Sequence, residues 1–268
     1  MDSSSNDNMS FLEHLEELRW HIIRSLIAII SAGFICFLMK DFIFDTIIFG
    51  PKKMDFPTYK FLCQAATFIE VKTTFCGDEF PFIVQNRTMA GQFSAHVMTS
   101  IISGFIISFP YILYEFWKFI SPGLLEKEKA KSRGFIFISS MLFFIGVLFG
   151  YYIISPLSIN FLGTYQVSSQ VLNEIDLGSF ISLVRSSAIA SGIIFELPII
   201  IYFLTKAGVV TPESLIKYRK YALVLVLVLA AIITPPDVAS QIIVAIPIVV
   251  LYQVSIFISR IVVKNQAK

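Results

Sequence analysis

The chain has 268 residues, of which 56% are hydrophobic and only 15% charged, with a mean hydropathy of +0.76. A soluble domain is normally about 25% charged, so the composition excludes an ordinary soluble protein and indicates an integral membrane protein. The net charge of +2 says little by itself; where Lys and Arg fall along the chain says more. The sequence reads as one integral membrane domain, 1–268, with no second soluble domain, and its 27 Phe suit lipid-facing and interhelical packing.

The chain opens on MDSSSNDNMS, polar and acidic. A cleavable signal peptide needs a basic start and a short apolar core, so the first apolar run is expected to remain as a membrane helix. Residues 10–20 read as a cytoplasmic amphipathic helix. Ser10 stands at its start with Glu13 at capping-box spacing. Leu12, Leu15 and Leu18 share one stripe, and Glu13 and Glu17 share another at i, i+4. An acidic face next to a membrane is repelled by anionic headgroups. That favours a cationic ligand over the plainer reading, a solvated acidic surface.

Six apolar segments follow: 22–39, 93–116, 135–154, 180–204, 221–233 and 239–258. The first four are long enough for about 30 Å of hydrocarbon. The fifth rises only roughly 20 Å as a helix, and the sixth is interrupted by Pro247. Segments five and six are joined by Thr234-Pro235-Pro236-Asp237, which predicts a helical hairpin. The fold class is therefore all-α, a polytopic membrane protein of six transmembrane helices.

Orientation follows from Lys and Arg. They flank the first segment (Arg19, Arg24), fill the 117–134 loop (Lys118, Lys127, Lys129, Lys131, Arg133) and mark the fourth–fifth connection (Lys206, Lys217, Arg219, Lys220). They also mark the tail (Arg260, Lys264, Lys268), whereas 155–179 has none. Both termini are thus expected on the cytoplasmic side. The long first outer loop, 40–92, carries several Lys, but long loops cross largely regardless of charge.

That outer loop contains FLCQAATFIEVKTTFC, whose β-branched and aromatic residues suggest strands. Cys63 and Cys76, facing an oxidising compartment, are candidates for a disulfide closing a hairpin. Cys36 reads as packing. No Cys-x-x-Cys or Cys/His cluster points to a metal, and the Asn86-Arg87-Thr88 sequon is a pattern common by chance.

Glu196 is the most informative single residue. It lies about ten residues, or roughly 15 Å, from the charged end of its segment at Lys206. That is near half the hydrocarbon thickness. An ionisable group at such depth costs at least about 2.5 kcal/mol on insertion scales and is seldom kept without a task. A protonated Glu bonded to a neighbouring helix is the structural alternative. On the cytoplasmic side, Glu126 and Glu128 in LLEKEK sit among lysines. With Glu17 they place carboxylates on one membrane face, able to bind two guanidiniums through charge-assisted bonds.

These stretches carry a family resemblance. HLEELR (14–19), FPYILYEFWKFISPGLLEKEK (109–129), SPLSINFL (155–162), FELP (195–198) and ITPPDVASQ (233–241) occur in order at the ends of the expected helices. By these motifs the chain resembles TatC, the receptor subunit of the twin-arginine protein translocase, over essentially its whole length. The resemblance implies a glove-like bundle with a concave face and short helices five and six. It also implies recognition of twin-arginine signal peptides on folded cargo, TatA/TatB-type single-span partners, a higher-order complex and drive from the proton-motive force. It places Glu17, Arg19, Phe119, Glu126 and Glu128 at the signal-binding surface. Glu196 and Gln241 fall where partner helices are contacted, and Asp237 falls in the outer fifth–sixth turn. The family usually continues Glu-Leu-Arg with basic residues, whereas Trp20 and His21 follow here. The 40–92 loop with its Cys pair is longer than the family pattern.

Two other functions remain as expectations to be weighed. One is a proton-coupled small-solute transporter using Glu196, although no inverted repeat of broken helices is visible. The other is a membrane-embedded enzyme, for which the supply of catalytic groups is thin. There are three His, and neither HExxH, GxSxG nor a P-loop occurs. His96 reads as a helix residue, and Arg185 as a snorkelling or acid-paired cation. No cofactor and no nucleic-acid partner is indicated. The expected location is the bacterial inner membrane, with the lipid bilayer as solvent.

Overall fold

The computed structural model describes residues 11–68, 76–77, 79–120, 132–168, 170–233 and 238–266. They form α1 (Phe11–Leu38), a π-helical turn (Phe42–Ile48), a 3₁₀ turn (Gly50–Lys52), α2 (Pro57–Phe68), β1 (Phe82–Gln85) and α3 (Gly91–Ile120). There follow α4 (Ser132–Phe149), a π-helical turn (Gly150–Ile154), α5 (Ser155–Thr164), β2 (Asn173–Asp176), α6 (Leu177–Phe195) and α7 (Leu197–Lys206). The described chain closes with α8 (Pro212–Lys217), α9 (Arg219–Ile233) and α10 (Val238–Gln266).

Among the described residues, five helical stretches are long and apolar enough to cross a membrane: 14–38, 91–120, 134–164, 177–206 and 241–264. The fifth apolar segment forms α9, 15 residues long and thus only about 22 Å as a helix.

Several boundaries differ from the sequence reading. The stretch FLCQAATF is helical, the body of α2, and not a strand. Pro57 stands at its first position, where a missing N–H costs nothing, and Leu62, Ala65 and Ala66 favour a helix. The structure joins Cys63 in the middle of that helix to Cys76, with Cα atoms 5.1 Å apart, so the bridge starts from a helix and not from a strand. The amphipathic segment expected at 10–20 is continuous with the first span in α1; its Ser10 lies outside the described residues. The third span runs on to Thr164 through the π-helical turn, which shortens the outer connection expected at 155–179. Finally, α10 is 29 residues long and passes through Pro247 without ending. A proline is tolerated in a membrane helix when neighbours hold it, so the sixth helix is not short.

By contacts the chain divides into two compact units, residues 1–38 with 100–140 and residues 39–99 with 141–268. In the first, α1 and α3 run antiparallel in close contact. A Cβ at Gly104 would lie 2.5 Å from the Gly33 nitrogen and the Ile29 carbonyl, so only glycine permits this approach. One turn on, Ser108 donates to the Ala28 carbonyl at 3.0 Å. The outward face of α1 carries Leu26, Ile27, Ile30, Phe34 and Ile35, all exposed, as a lipid-facing surface requires.

In the second unit α7 and α10 pack along each other. Ile201, Tyr252 and Ile256 form one buried cluster, and Thr205 and Ser259 hydrogen-bond at 2.9 Å between the helices. A second cluster joins Ile154, Val226, Ala230, Val244, Ala245 and Ile248. Beyond the spans, β1 and β2 pair in parallel, with Phe82 opposite Asn173 and Gln85 opposite Asp176. Asp176 ends β2 and caps α6, accepting from Gly178 N at 2.9 Å and Ser179 N at 3.3 Å. Tyr59 of α2 is fully buried, its hydroxyl 2.9 Å from the carbonyls of both Pro51 and Pro156. Burial pushes that phenol well above its ordinary range.

Candidate functional site

Along α1, residues His14, Glu17, His21, Arg24 and Ala28 recur at spacings of three and four, so they share one helix face. The face is turned to α3. At its far end the rings of His14 and Phe119 stack, with centroids 4.4 Å apart and planes 18° apart. Phe119 also meets His21 edge-on at 6.0 Å. Deeper in, His21 Nδ1 lies 2.6 Å from Glu115 Oε2, and Arg24 Nη1 lies 3.7 Å from the same oxygen. The Tyr111 hydroxyl also hydrogen-bonds this carboxylate. The Glu115 side chain is 4% exposed, that of His21 12% and that of Arg24 46%. A carboxylate so desolvated is stable only when paired, and here it faces the His21 imidazole and the Arg24 guanidinium.

Of the expected signal-binding residues, Glu17 is half-buried on this face, Phe119 is half-buried against the two imidazoles, and Arg19 is exposed. Glu126 and Glu128 lie outside the described residues. Glu17 makes no ion pair within 4 Å among the described residues. Glu115 was not singled out by sequence, although it carries the signal that drew attention to Glu196, an acid inside an apolar run. Its charge partner was visible too, because His21 stands where the family pattern departs.

In the second unit Glu196 is buried and sits where α6 gives way to α7. Its backbone has φ −75° and ψ −5°. Its N–H reaches back to the Ile193 carbonyl at 3.1 Å, and its own carbonyl accepts from Ile199 and Ile200 at 2.9 and 3.0 Å. The cause is local: Pro198 has no N–H to continue the α6 ladder. Before this break, α6 lies tightly on α4. A Cβ at Gly146 would be 2.7 Å from the Ser191 carbonyl and 2.8 Å from Phe195 Cβ, and the Phe195 ring tilts against Phe149 at 5.5 Å. Gln241 is half-buried and donates to the Leu227 carbonyl at 3.1 Å, tying α10 to α9. Asp237 lies outside the described residues.

Arg185 is half-buried within α6 and has no carboxylate within 4 Å among the described residues. His96 meets Phe44 edge-on, centroids 5.7 Å apart. Cys36 is a buried free thiol. Among the described residues, no group of three or more His, Cys, Asp or Glu is placed to hold a metal.

The model of the family described as Sec-independent protein translocase protein (TatC) matches residues 13–247. This chain belongs to the TatC family. Its similarity to the TatC of Blattabacterium sp. subsp. Periplaneta americana is 46% identity over 264 residues, covering 98% of this chain and 99% of that protein. With the TatC of Aquifex aeolicus it is 36% identical, covering 96% of this chain and 98% of that one. In three dimensions it is similar to a crystal structure of the twin-arginine translocase receptor TatC, with a TM-score of 0.67 and 34% identity over 94% of this chain and all of that one. A second such structure, of TatC in DDM, gives a TM-score of 0.70 and 36% identity over 91% and 98%. The protein is therefore a multi-pass, all-α membrane component of the Sec-independent translocase.

Proposed function

We propose that this chain is the signal-peptide receptor and core subunit of a translocase that exports folded proteins bearing twin-arginine signals, using the proton-motive force. The observation that carries the reading is the polar face shared by α1 and α3. It carries a half-buried acid, Glu17, between the His14–Phe119 stack and the His21 and Arg24 side chains that face Glu115.

In this reading Glu17 and Glu128, with Glu126 beside it, take the two guanidiniums of the signal. Arg19 and Phe119 border them. Arginine suits the task because its planar fork matches a carboxylate with two parallel bonds. The apolar part of the signal then enters the membrane along the helices that carry Glu196. TatA/TatB-type single-span subunits dock by α9 and α10, near Gln241, with Asp237 in the sequence that joins the two helices. A hydrogen bond from a neutral Glu196 to a partner helix contributes about 0.6 kcal/mol, up to roughly 2, enough to bias docking without locking it. The assembly is a higher-order complex in the bacterial inner membrane, with both termini cytoplasmic. The Cys63–Cys76 bridge supports an outer, oxidising location for its loop.

The test is binding of a signal peptide carrying Arg-Arg, or Lys-Lys in its place, to the purified full chain. A charge-assisted hydrogen bond contributes about 1.5–3 kcal/mol, or roughly tenfold to more than a hundredfold in affinity. Glu17→Lys removes that and adds repulsion, so Arg-Arg binding should fall by at least about tenfold while the helical content stays unchanged. Arg-Arg and Lys-Lys bound equally by the wild type, or binding indifferent to Glu17→Lys, would overturn the reading. Solute flux by the purified chain alone would favour a transporter instead.

A further inference from the structure

We propose that Glu115 is a positioning residue for Glu17: it holds the His21 imidazole and the Arg24 guanidinium within the α1–α3 pair and leaves the Glu17 carboxylate open to a guanidinium from outside. The inference rests on the receptor reading above and concerns the same site.

His21 follows Glu17 by four residues in one continuous helix, and an acid followed by a cation at i, i+4 is the favoured pairing on a helix surface. Left to α1 alone, a protonated His21 would turn back onto Glu17 and neutralise the receptor's own acid. The structure shows a different choice. His21 Nδ1 is drawn across to Glu115 Oε2 at 2.6 Å, and Arg24 approaches the same oxygen at 3.7 Å. Glu115, 4% exposed, needs partners to stay charged, whereas the half-buried Glu17 keeps contact with water; the partners Glu115 takes are then held firmly, because opposite charges attract more strongly in a low-dielectric setting.

The titratable and charged groups facing His21 are Glu17 and Arg24 on its own helix and Glu115 and Tyr111 on α3. His14 lies across the Phe119 ring, and Lys118 and Arg19 are exposed. With His21 protonated, the charges of Glu17, Glu115, His21 and Arg24 balance. Without the Glu115 charge the same four positions carry one net positive charge, beside the acid that must accept a cation. Loss of Glu115 therefore blocks Glu17 in two ways, by an internal pair with His21 and by repulsion of the ligand. The first depends on His21 being protonated and vanishes when position 21 cannot carry charge.

The experiment uses the full-length protein in lipid nanodiscs and a synthetic signal peptide with Arg-Arg, or Lys-Lys as control. Binding is measured at about pH 5.5 and about pH 8, on either side of the ordinary histidine range. Glu115→Gln should weaken Arg-Arg binding by about tenfold at the acidic pH and by no more than about threefold at the alkaline one. The double variant Glu115→Gln with His21→Asn should regain most of the acidic loss, because no cation is left to turn onto Glu17. Should Glu115→Gln fail to fold, Glu115→Asp, one methylene shorter, should show the same acid-selective weakening in smaller measure. Equal weakening at both pH values with no rescue by His21→Asn would assign Glu115 a purely structural part and overturn the proposal, as would unchanged binding. A separate variant tests the ground beneath it: Glu17→Gln must abolish the preference for Arg-Arg. If that preference survives Glu17→Gln, the receptor reading fails. If it is abolished and rescue is still absent, only the role of Glu115 falls.

Discussion

Replacing Gly146 by Ala tests whether the α4–α6 contact is as close as the structure shows. The added Cβ would lie 2.7 Å from the Ser191 carbonyl oxygen and 2.8 Å from both Gly192 Cα and Phe195 Cβ. Non-bonded carbons settle at about 3.5–4.0 Å, so the helices must part by roughly 0.7 Å. Sliding along the axis gives no relief, since Gly150, one turn on, is pressed against Ser187 and Ala188 in the same way. Overpacking of this kind costs about 1–3 kcal/mol. At about 2–4 °C per kcal/mol for a chain of this size, thermal unfolding in detergent should fall by roughly 2–12 °C. Gly134→Ala is the control within the same helix: nothing lies within 4 Å of its added Cβ, and alanine is the better helix former by up to about 1 kcal/mol. The displaced Phe195 adjoins Glu196, so Gly146→Ala should also lower export in cells while Gly134→Ala does not. A Gly146→Ala protein as stable as Gly134→Ala would refute the close approach.

Tyr59→Phe leaves the Pro51 and Pro156 carbonyls without the shared hydroxyl and should cost about 1–2 kcal/mol at neutral pH. Because burial raises the Tyr59 phenol, folding favours its neutral form. That contribution is complete below about pH 10, the ordinary tyrosine value, and is lost as pH rises beyond it, so the gap between wild type and Tyr59→Phe should narrow in alkali; a constant gap would contradict the burial. Replacing Cys63 and Cys76 together by Ser opens a bridge between residues 13 apart in sequence, worth about 3 kcal/mol for a loop of this length. Hydrogen exchange in α2 should speed up accordingly, while the α7–α10 pair keeps its protection.

The apolar runs were legible because a run long enough to cross a membrane has few other uses; five helical stretches are long and apolar enough to cross, the fifth run forms the shorter α9, and the fourth breaks at Glu196 into α6 and α7. Their ends were less so. Hydropathy marks the hydrocarbon, not the helix: the start of α1 was read instead from the amphipathic pattern at 10–20, and the extension through Ser155 and Pro156 into α5 was not read at all. FLCQAATF reads as strand only when weighed with its β-branched neighbours Ile69, Val71, Thr73 and Thr74, which lie outside the described residues; by itself it is helical. Pro247 looked like a break, but its neighbours Val244, Ala245 and Ile248 pack against Ile154, Val226 and Ala230 and hold α10 through it. At the candidate site, Glu17, Phe119 and Glu196 could be named from motifs and depth. The helix break at Glu196 was written in Pro198. Glu115 needed the structure, since its meaning lies in His21 and Arg24, which are 94 and 91 positions away along the chain.

The central claim is that a twin-arginine signal sits on the α1–α3 face beside Glu17. The most direct measurement uses a signal peptide with a photo-reactive residue next to its arginine pair, irradiated with the full-length protein in membranes and mapped by mass spectrometry. The account predicts adducts within α1 around residues 14–21 and near Phe119, lost when Arg-Arg becomes Lys-Lys. Adducts confined to other helices, or equal yields from Arg-Arg and Lys-Lys, would contradict it.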